Sequence, residues 1–523
     1  MKRLFFLWPL CMLIACNQTA WPDQGSGPES DPEVLHGMIR LGEKLEDPYT
    51  VENMQKALQS VYGTKADRVD VSATDLYVRF LPKDNDEYMA LLQEGLYLLD
   101  HPMDYRIVQE GDYYQDPEVG EQAITWQYAV VPRDFSFPQG IRYEQLDEVY
   151  ISEHAAATRA GEEIDWALVE KEAFRLTGNQ DLWQEPTKAE SGTPGGRITI
   201  EDPLFSGGKP FGVAGVKVAA NIFVKIATAY TDRDGYYQMG KSFSGKPRYR
   251  LVFQNEKGFN IGFNFLIVPA SISTLGKGDP SGIDLHVSAN SDGALFRRCV
   301  VNNAAYDYYS RCTEDDLDIM PPPADLRLWI FPDLKCSSAN MLHHGAFLDH
   351  SIIELYLGEY LPLIRLFLPD VTIGTKEQSY AQIYENVMHE LAHTSHYAQV
   401  GNSFWTPYID YVLLSFVKNS RTDYGSGDLK GAEYCELGEM WGFFMQETLK
   451  KDRYGGTVKQ FGNTYWFKPD IFTYLYERGF TRGEIFRALQ PGVNTVEALQ
   501  QELAAQLPDR ESIITQTFQH YGK

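Results

Sequence analysis

The chain is poor in several things that would mark common protein classes. Its 523 residues carry 47 Lys and Arg against 72 Asp and Glu, a net charge of −25. So acidic a chain offers no basic face to a nucleic-acid backbone and none to an anionic lipid surface. Cysteine is scarce, with six residues. Cys11 and Cys16 fall in the opening segment, which leaves Cys299, Cys312, Cys336 and Cys435. Their spacing fits no zinc knuckle. Where the compartment is oxidising, one or two disulfides are expected, with Cys312–Cys336 favoured and Cys435 either paired or a buried thiol. Histidine is also sparse, at 11 residues. The opening apolar run is too short to cross a bilayer as a permanent helix.

That run is informative in itself. MKRLFFLWPLCMLIAC has a basic start at Lys2 and Arg3, a short apolar stretch, and then Leu13-Ile14-Ala15-Cys16. A small residue before the cysteine is what cleavage sites require. The pattern resembles a bacterial lipoprotein signal with its lipobox. The resemblance implies cleavage before Cys16 and lipid attachment to its sulfur. Asn17 rather than aspartate follows, so the usual inner-membrane retention signal is missing and the outer membrane of the cell envelope is expected. Residues 17–34 are polar and rich in Gly, Pro and Ser, and read as a flexible tether.

The fold class reads as α+β and multidomain. Residues 35–182 mix helix patterns (VENMQKALQSVYG, EEIDWALVEKEAFRLTG) with strand patterns (ATDLYVRFLP, ITWQYAVVP) and carry no reaction motif. This block is expected to be a structural or docking module, with a prodomain-like role as the alternative. Residues 183–196 have linker composition. Residues 197–270 alternate as strands and contain the turn Asp232-Arg233-Asp234-Gly235. A plain turn is favoured over a calcium site there, because the further oxygen ligands of an EF-hand loop are missing. The segment GVAGVKVAANIFVKIATAYTDRDGYYQM resembles the carboxypeptidase-regulatory-like (transthyretin-like) β-sandwich, a small non-catalytic domain.

Residues 280–523 hold the chemistry. His389-Glu390-Leu391-Ala392-His393 is an H-E-x-x-H pattern inside a segment that reads as helix. Positions i and i+4 share a helix face, so both imidazoles can address one ion, with Glu390 beside them as general base. A catalytic Zn²⁺ needs a third protein ligand and one open position. His396 and Gln399 stand where a metzincin would have glycine and its third histidine, which excludes that class. A later helical segment, 431–451, carries Glu433, Glu436 and Glu439 three apart. Its string GEMWGFF resembles the E-x-W-A neighbourhood of the third ligand in gluzincins. The resemblance implies Glu439 as that ligand, with Glu436 as the alternative.

A gluzincin-type metallopeptidase is thus expected, acting on peptide or protein substrates. His396 is a candidate for supporting a ligand from behind. Tyr465, Tyr424 and Tyr434 are unranked candidates to stabilise the oxyanion. The strand 326–332 is expected to edge the cleft, with a core strand as the alternative. His343, His344 and His350 read as loop or cap residues, and Gly276–Gly282 as a loop. Two other readings stay open: a catalytically inactive zincin-like surface lipoprotein that binds a protein or polysaccharide, and a structural zinc site.

Overall fold

The structure is a computed structural model. It describes residues 38–120, 123–155, 164–184, 193–262, 272–288, 293–314, 317–332, 334–345, 369–418 and 424–523. The signal segment, Cys16, the tether, most of the 183–196 linker and His350 lie outside the described residues. No helix among the described residues is long and apolar enough to cross a membrane.

The fold is α+β and built from several sheets. The N-terminal unit is a three-stranded antiparallel sheet in which Asp75–Leu81 lies between Gln127–Pro132 and Arg142–Val149. The helices Val51–Tyr62 and Trp166–Leu176 pack together. Each starts at a capping side chain, Thr50 and Asp165, that accepts from a backbone N–H of the first turn. Next come two sheets that feed one core. One is Ile272–Lys277, Arg248–Val252, Lys217–Ile222 and Lys225–Tyr230, antiparallel throughout. The other is Tyr236–Gln238, Gly195–Ile200 and Leu285–Val287, with Phe211–Gly212 beside it. At the 232–235 turn, Asp232 Oδ1 accepts from the N–H groups of Asp234 and Tyr236. The carboxylate is spent inside its own turn.

Two boundaries read from the sequence shift. The strand Gly195–Ile200 takes in the end of the 183–196 linker, and the two sheets take further strands past 270, Ile272–Lys277 and Leu285–Val287. Between Arg248–Val252 and Ile272–Lys277 the chain also supplies the two-residue strand β1 (Asn260–Ile261) to a different sheet. So short a strand carries no periodicity that a sequence could show.

Strand β1 belongs to the sheet that supports the site. Its neighbours are β2 (Arg327–Phe331), β3 (Ser338–Ala339) and β4 (Val371–Gly374), in the spatial order β1-β2-β4-β3. The pairs β1-β2 and β2-β4 are parallel, and β3 runs antiparallel at the edge. Four long helices follow: α1 (Gly293–Thr313) and α2 (Tyr380–Val400) pack on this sheet, and α3 (Asn402–Lys418) and α4 (Ala432–Tyr454) pack on α2 and on each other. Short helices complete the C-terminal part.

The strand β2 corrects an expectation. It is fully buried and interior to its sheet, so residues 326–332 do not edge the cleft; among the described residues β1 and β3 are the edges, and β3 is the one beside α2. Leu328 and Ile330 enter the main core, while Trp329 and Phe331 enter a second core with Val78, Phe80 and Leu91 of the N-terminal unit. The N-terminal unit is therefore docked on one face of this strand. The unit is also tied to the neighbouring sheet: Lys225 Nζ pairs with Glu170 at 2.8 Å and Glu153 at 2.7 Å, and Arg250 Nη2 meets His101 Nε2 at 3.1 Å.

The Cys312–Cys336 disulfide is also corrected. All four described cysteines are thiols. Cys312 sits in the main core and Cys336 against the second one, so the two lie in different cores.

Candidate metal centre

Helix α2 begins at a capping box, with Ser379 and Gln382 bonding each other's backbone, and ends at Gly401 with φ +69°. Nearly every residue between is buried, because the helix runs between the sheet, α1 and α4. His389 and His393 lie one turn apart on the face toward α4. The structure places Glu439 of α4 opposite them. His389 Nε2 is 3.0 Å from His393 Nε2 and 3.3 Å from Glu439 Oε2, and His393 Nε2 is 3.6 Å from Glu439 Oε1. Ligand atoms around tetrahedral zinc, with bonds of about 2.0–2.1 Å, stand roughly 3.3 Å apart. Two imidazole nitrogens and a carboxylate at this spacing fit a zinc donor set. Among the described residues, these three form the cluster able to hold a metal.

The glycine at 442 makes the convergence possible. A Cβ there would lie 2.8 Å from Cε1 of both histidines. Trp441 Nε1 donates to the Ala392 carbonyl at 3.1 Å, which fixes the rotation of α4 against α2.

Each group has a defined surrounding. Burial drives the His393 imidazole toward its neutral form, down to about 3. Burial alone would raise Glu439, but the imidazoles of His393 and His389 and the Tyr408 hydroxyl hold it low, at about 2. Tyr408 donates to Glu439 Oε1 at 2.5 Å. His389 Nδ1 is 3.1 Å from Gln446 Oε1, which orients the ring so that Nε2 faces the centre. Glu390 is buried, and that burial first, then the neighbouring Glu439, push its carboxyl well above the usual range against one opposing backbone bond from Ala339. Its Oε2 has no hydrogen-bond partner among the described residues. Buried polar atoms are normally satisfied, so this oxygen is held for something else.

The other candidates separate. Glu436 faces away, 2.6 Å from Lys523 Nζ, and is not part of the cluster. His396 supports no ligand. It is buried between Phe404 at 4.6 Å and Trp405 at 5.9 Å, and neither ring nitrogen has a hydrogen-bond partner among the described residues. Burial, then His393, lowers it to about 3. Tyr434 is also placed elsewhere, accepting from Asn494 and packing on Phe404. Tyr424 and Tyr465 both pack on Phe443, whose ring lies 4.7 Å from His389. His344 is tied to Asp370 and to the Ala324 carbonyl, outside the centre.

The sequence reading missed Gln446, Gly442, Tyr408 and Ala339. The first two lie seven and three residues after Glu439, so the helix face that carries Glu439 was a signal for both. Tyr408 and Ala339 reach the centre from a separate helix and a strand, and no local pattern announces them. No family model, curated protein or solved structure matches this chain.

Proposed function

We propose that this chain is a lipid-anchored zinc metallopeptidase of gluzincin type. The observation that carries the reading is a buried set of two imidazoles and one carboxylate at zinc spacing, beside a glutamate with an unengaged oxygen. His389, His393 and Glu439 would hold Zn²⁺. When bound, the ion supplies a Lewis acid that polarises a carbonyl and acidifies a water. The chain's own groups do the rest. Gln446 holds the His389 ring, and Tyr408 holds the Glu439 carboxylate. Glu390 Oε2 takes the proton of the attacking water and delivers it to the leaving amine. The Ala339 N–H keeps the other side of that carboxyl in place. Tyr424 and Tyr465 remain the oxyanion donors proposed; Tyr434 does not. Cys16 would carry the lipid that holds the enzyme at the outer membrane of a bacterial cell envelope.

A second reading, an inactive zincin-like binding protein, has one observation in its favour. The four central residues are 0–4 % exposed. An inactive site has no use for a buried glutamate with an open oxygen, so the enzyme is preferred. Metal analysis of the purified chain, with digestion of a peptide library, separates the readings. The enzyme requires about one zinc per chain and cleavage that falls roughly 10²–10⁴-fold in Glu390→Gln while zinc is retained. A zinc-free protein, or cleavage unchanged in Glu390→Gln, defeats it.

A further inference from the structure

We infer that the first turns of α3 are an internal lid, with Trp405 standing in for substrate backbone; this rests on the peptidase reading. At 0–4 % exposure, His389, Glu390, His393 and Glu439 are out of reach of any peptide. One helix face does much of the covering. Trp405 and Tyr408 are three apart on α3 and stacked, with centroids 4.6 Å apart and planes at 29°. Their rings lie 5.6 Å and 5.7 Å from that of His393. Each also makes a directed bond into the site. Tyr408 donates to Glu439 Oε1, and Trp405 Nε1 donates to the Ala339 carbonyl at 3.2 Å.

The second bond gives the inference its content. Ala339 belongs to β3, the edge strand beside α2, and among the described residues no strand lies on its outer side. An extended peptide added to a sheet edge hydrogen-bonds its N–H groups to the edge carbonyls. The indole N–H is the same kind of donor, already seated on the carbonyl next to Glu390. Substrate main chain and Trp405 therefore compete for one acceptor, and substrate entry requires the start of α3 to move. The joint before it is Gly401, at φ +69° and ψ −171°, a conformation that favours glycine, and a Cβ there would meet nothing within 4 Å. The joint has both the space and the residue type for a hinge.

The test uses the full chain with Trp405→Phe, which removes the indole N–H together with the second ring, and Tyr408→Phe, which removes only the hydroxyl bonded to Glu439. Two rates are read. The first is zinc transfer to an excess of a chelator. The second is hydrogen–deuterium exchange of residues 402–412, followed in zinc-free protein. Loss of one such hydrogen bond shifts an opening equilibrium roughly 2- to 10-fold. Trp405→Phe should speed both rates by at least that factor, because buried ring contacts are lost as well, lower KM for peptides, and leave exchange in α4 unchanged. Tyr408→Phe should raise 402–412 exchange in the same way. Unchanged exchange in both folded variants overturns the lid. A wild type that holds no zinc defeats the peptidase reading instead, and the exchange measurement still judges whether α3 opens.

Discussion

Replacing Gly442 by alanine is a sharp probe of the metal centre. In the motif that GEMWGFF resembles, an alanine stands at this position, so the change looks harmless from the sequence. The geometry says otherwise. A Cβ at 442 lies 2.8 Å from Cε1 of His389 and of His393, and 2.9 Å from His389 Nε2. Carbon atoms rest about 3.5–4.0 Å apart, so roughly 0.7 Å has to be found. The imidazoles have little room to retreat. His389 is backed by Phe443 and Gln446, and His393 by Trp405 and Tyr408. Helix α4 is equally confined, with Trp441 and Phe443 buried on either side of 442. A metal site keeps its ligand distances to within about 0.2 Å, several times less than the shift required. Overpacking of this kind costs about 1–3 kcal/mol, which corresponds to a zinc affinity lower by roughly 5- to 150-fold. Competition titration against a chromophoric chelator gives the affinity, and circular dichroism checks that the variant is folded. A folded Gly442→Ala protein that binds zinc within about twofold of wild type refutes the argument.

The third ligand can be separated from its neighbour one turn away. Glu439→Gln should weaken zinc binding by at least about tenfold, because it removes the only anion of the donor set, while Glu436→Gln breaks the contact with Lys523 and leaves zinc affinity within about threefold. The same chelator titration decides; the assignment fails if Glu436→Gln strips the metal and Glu439→Gln does not. The anchor is tested by Cys16→Ala, which should release the chain from membrane fractions or block its processing. Normal processing with continued partition into detergent would show that the lipobox reading is mistaken.

The sequence made part of the centre legible because that part is local. Two histidines four apart need only the periodicity of one helix to meet, and Glu390 follows from its place between them. The second helix was visible as well, but its register was not. Three glutamates three apart drift slowly around a helix, and only packing decides which of them faces α2. Here the Trp441 bond to the Ala392 carbonyl and the small residue at 442 fix the rotation, which leaves Glu436 pointing at the C-terminal lysine. His396 shows the opposite failure. It follows His393 by three residues and so reads as a member of the same face, yet the aromatic pair Phe404 and Trp405 from the next helix takes it out of the centre. Those rings come to it only because the chain turns back at Gly401.

The misplaced cleft strand has a physical cause that the sequence did contain. After Arg327, the run Leu328-Trp329-Ile330-Phe331 is apolar at successive positions rather than alternate ones. A strand at the rim of a cleft has one face toward helices and one toward solvent or ligand, and should alternate. An unbroken apolar run belongs to a strand buried on both faces, as in parallel pairing. That is where β2 lies: Leu328 and Ile330 face the main core, and Trp329 and Phe331 meet the N-terminal unit. The same pattern bears on the prodomain alternative. A segment that is cleaved away to expose an active site should cover that site. This unit instead covers Trp329, Phe331 and Leu334, and it supplies Glu170 and Glu153 to the buried Lys225. Its removal would strip that core and expose its apolar face to water. The edge beside α2, Ser338–Ala339, has the composition its position demands. It is short and built of small residues, because the Glu390 carboxyl and the Trp405 indole must both approach its backbone within hydrogen-bonding distance.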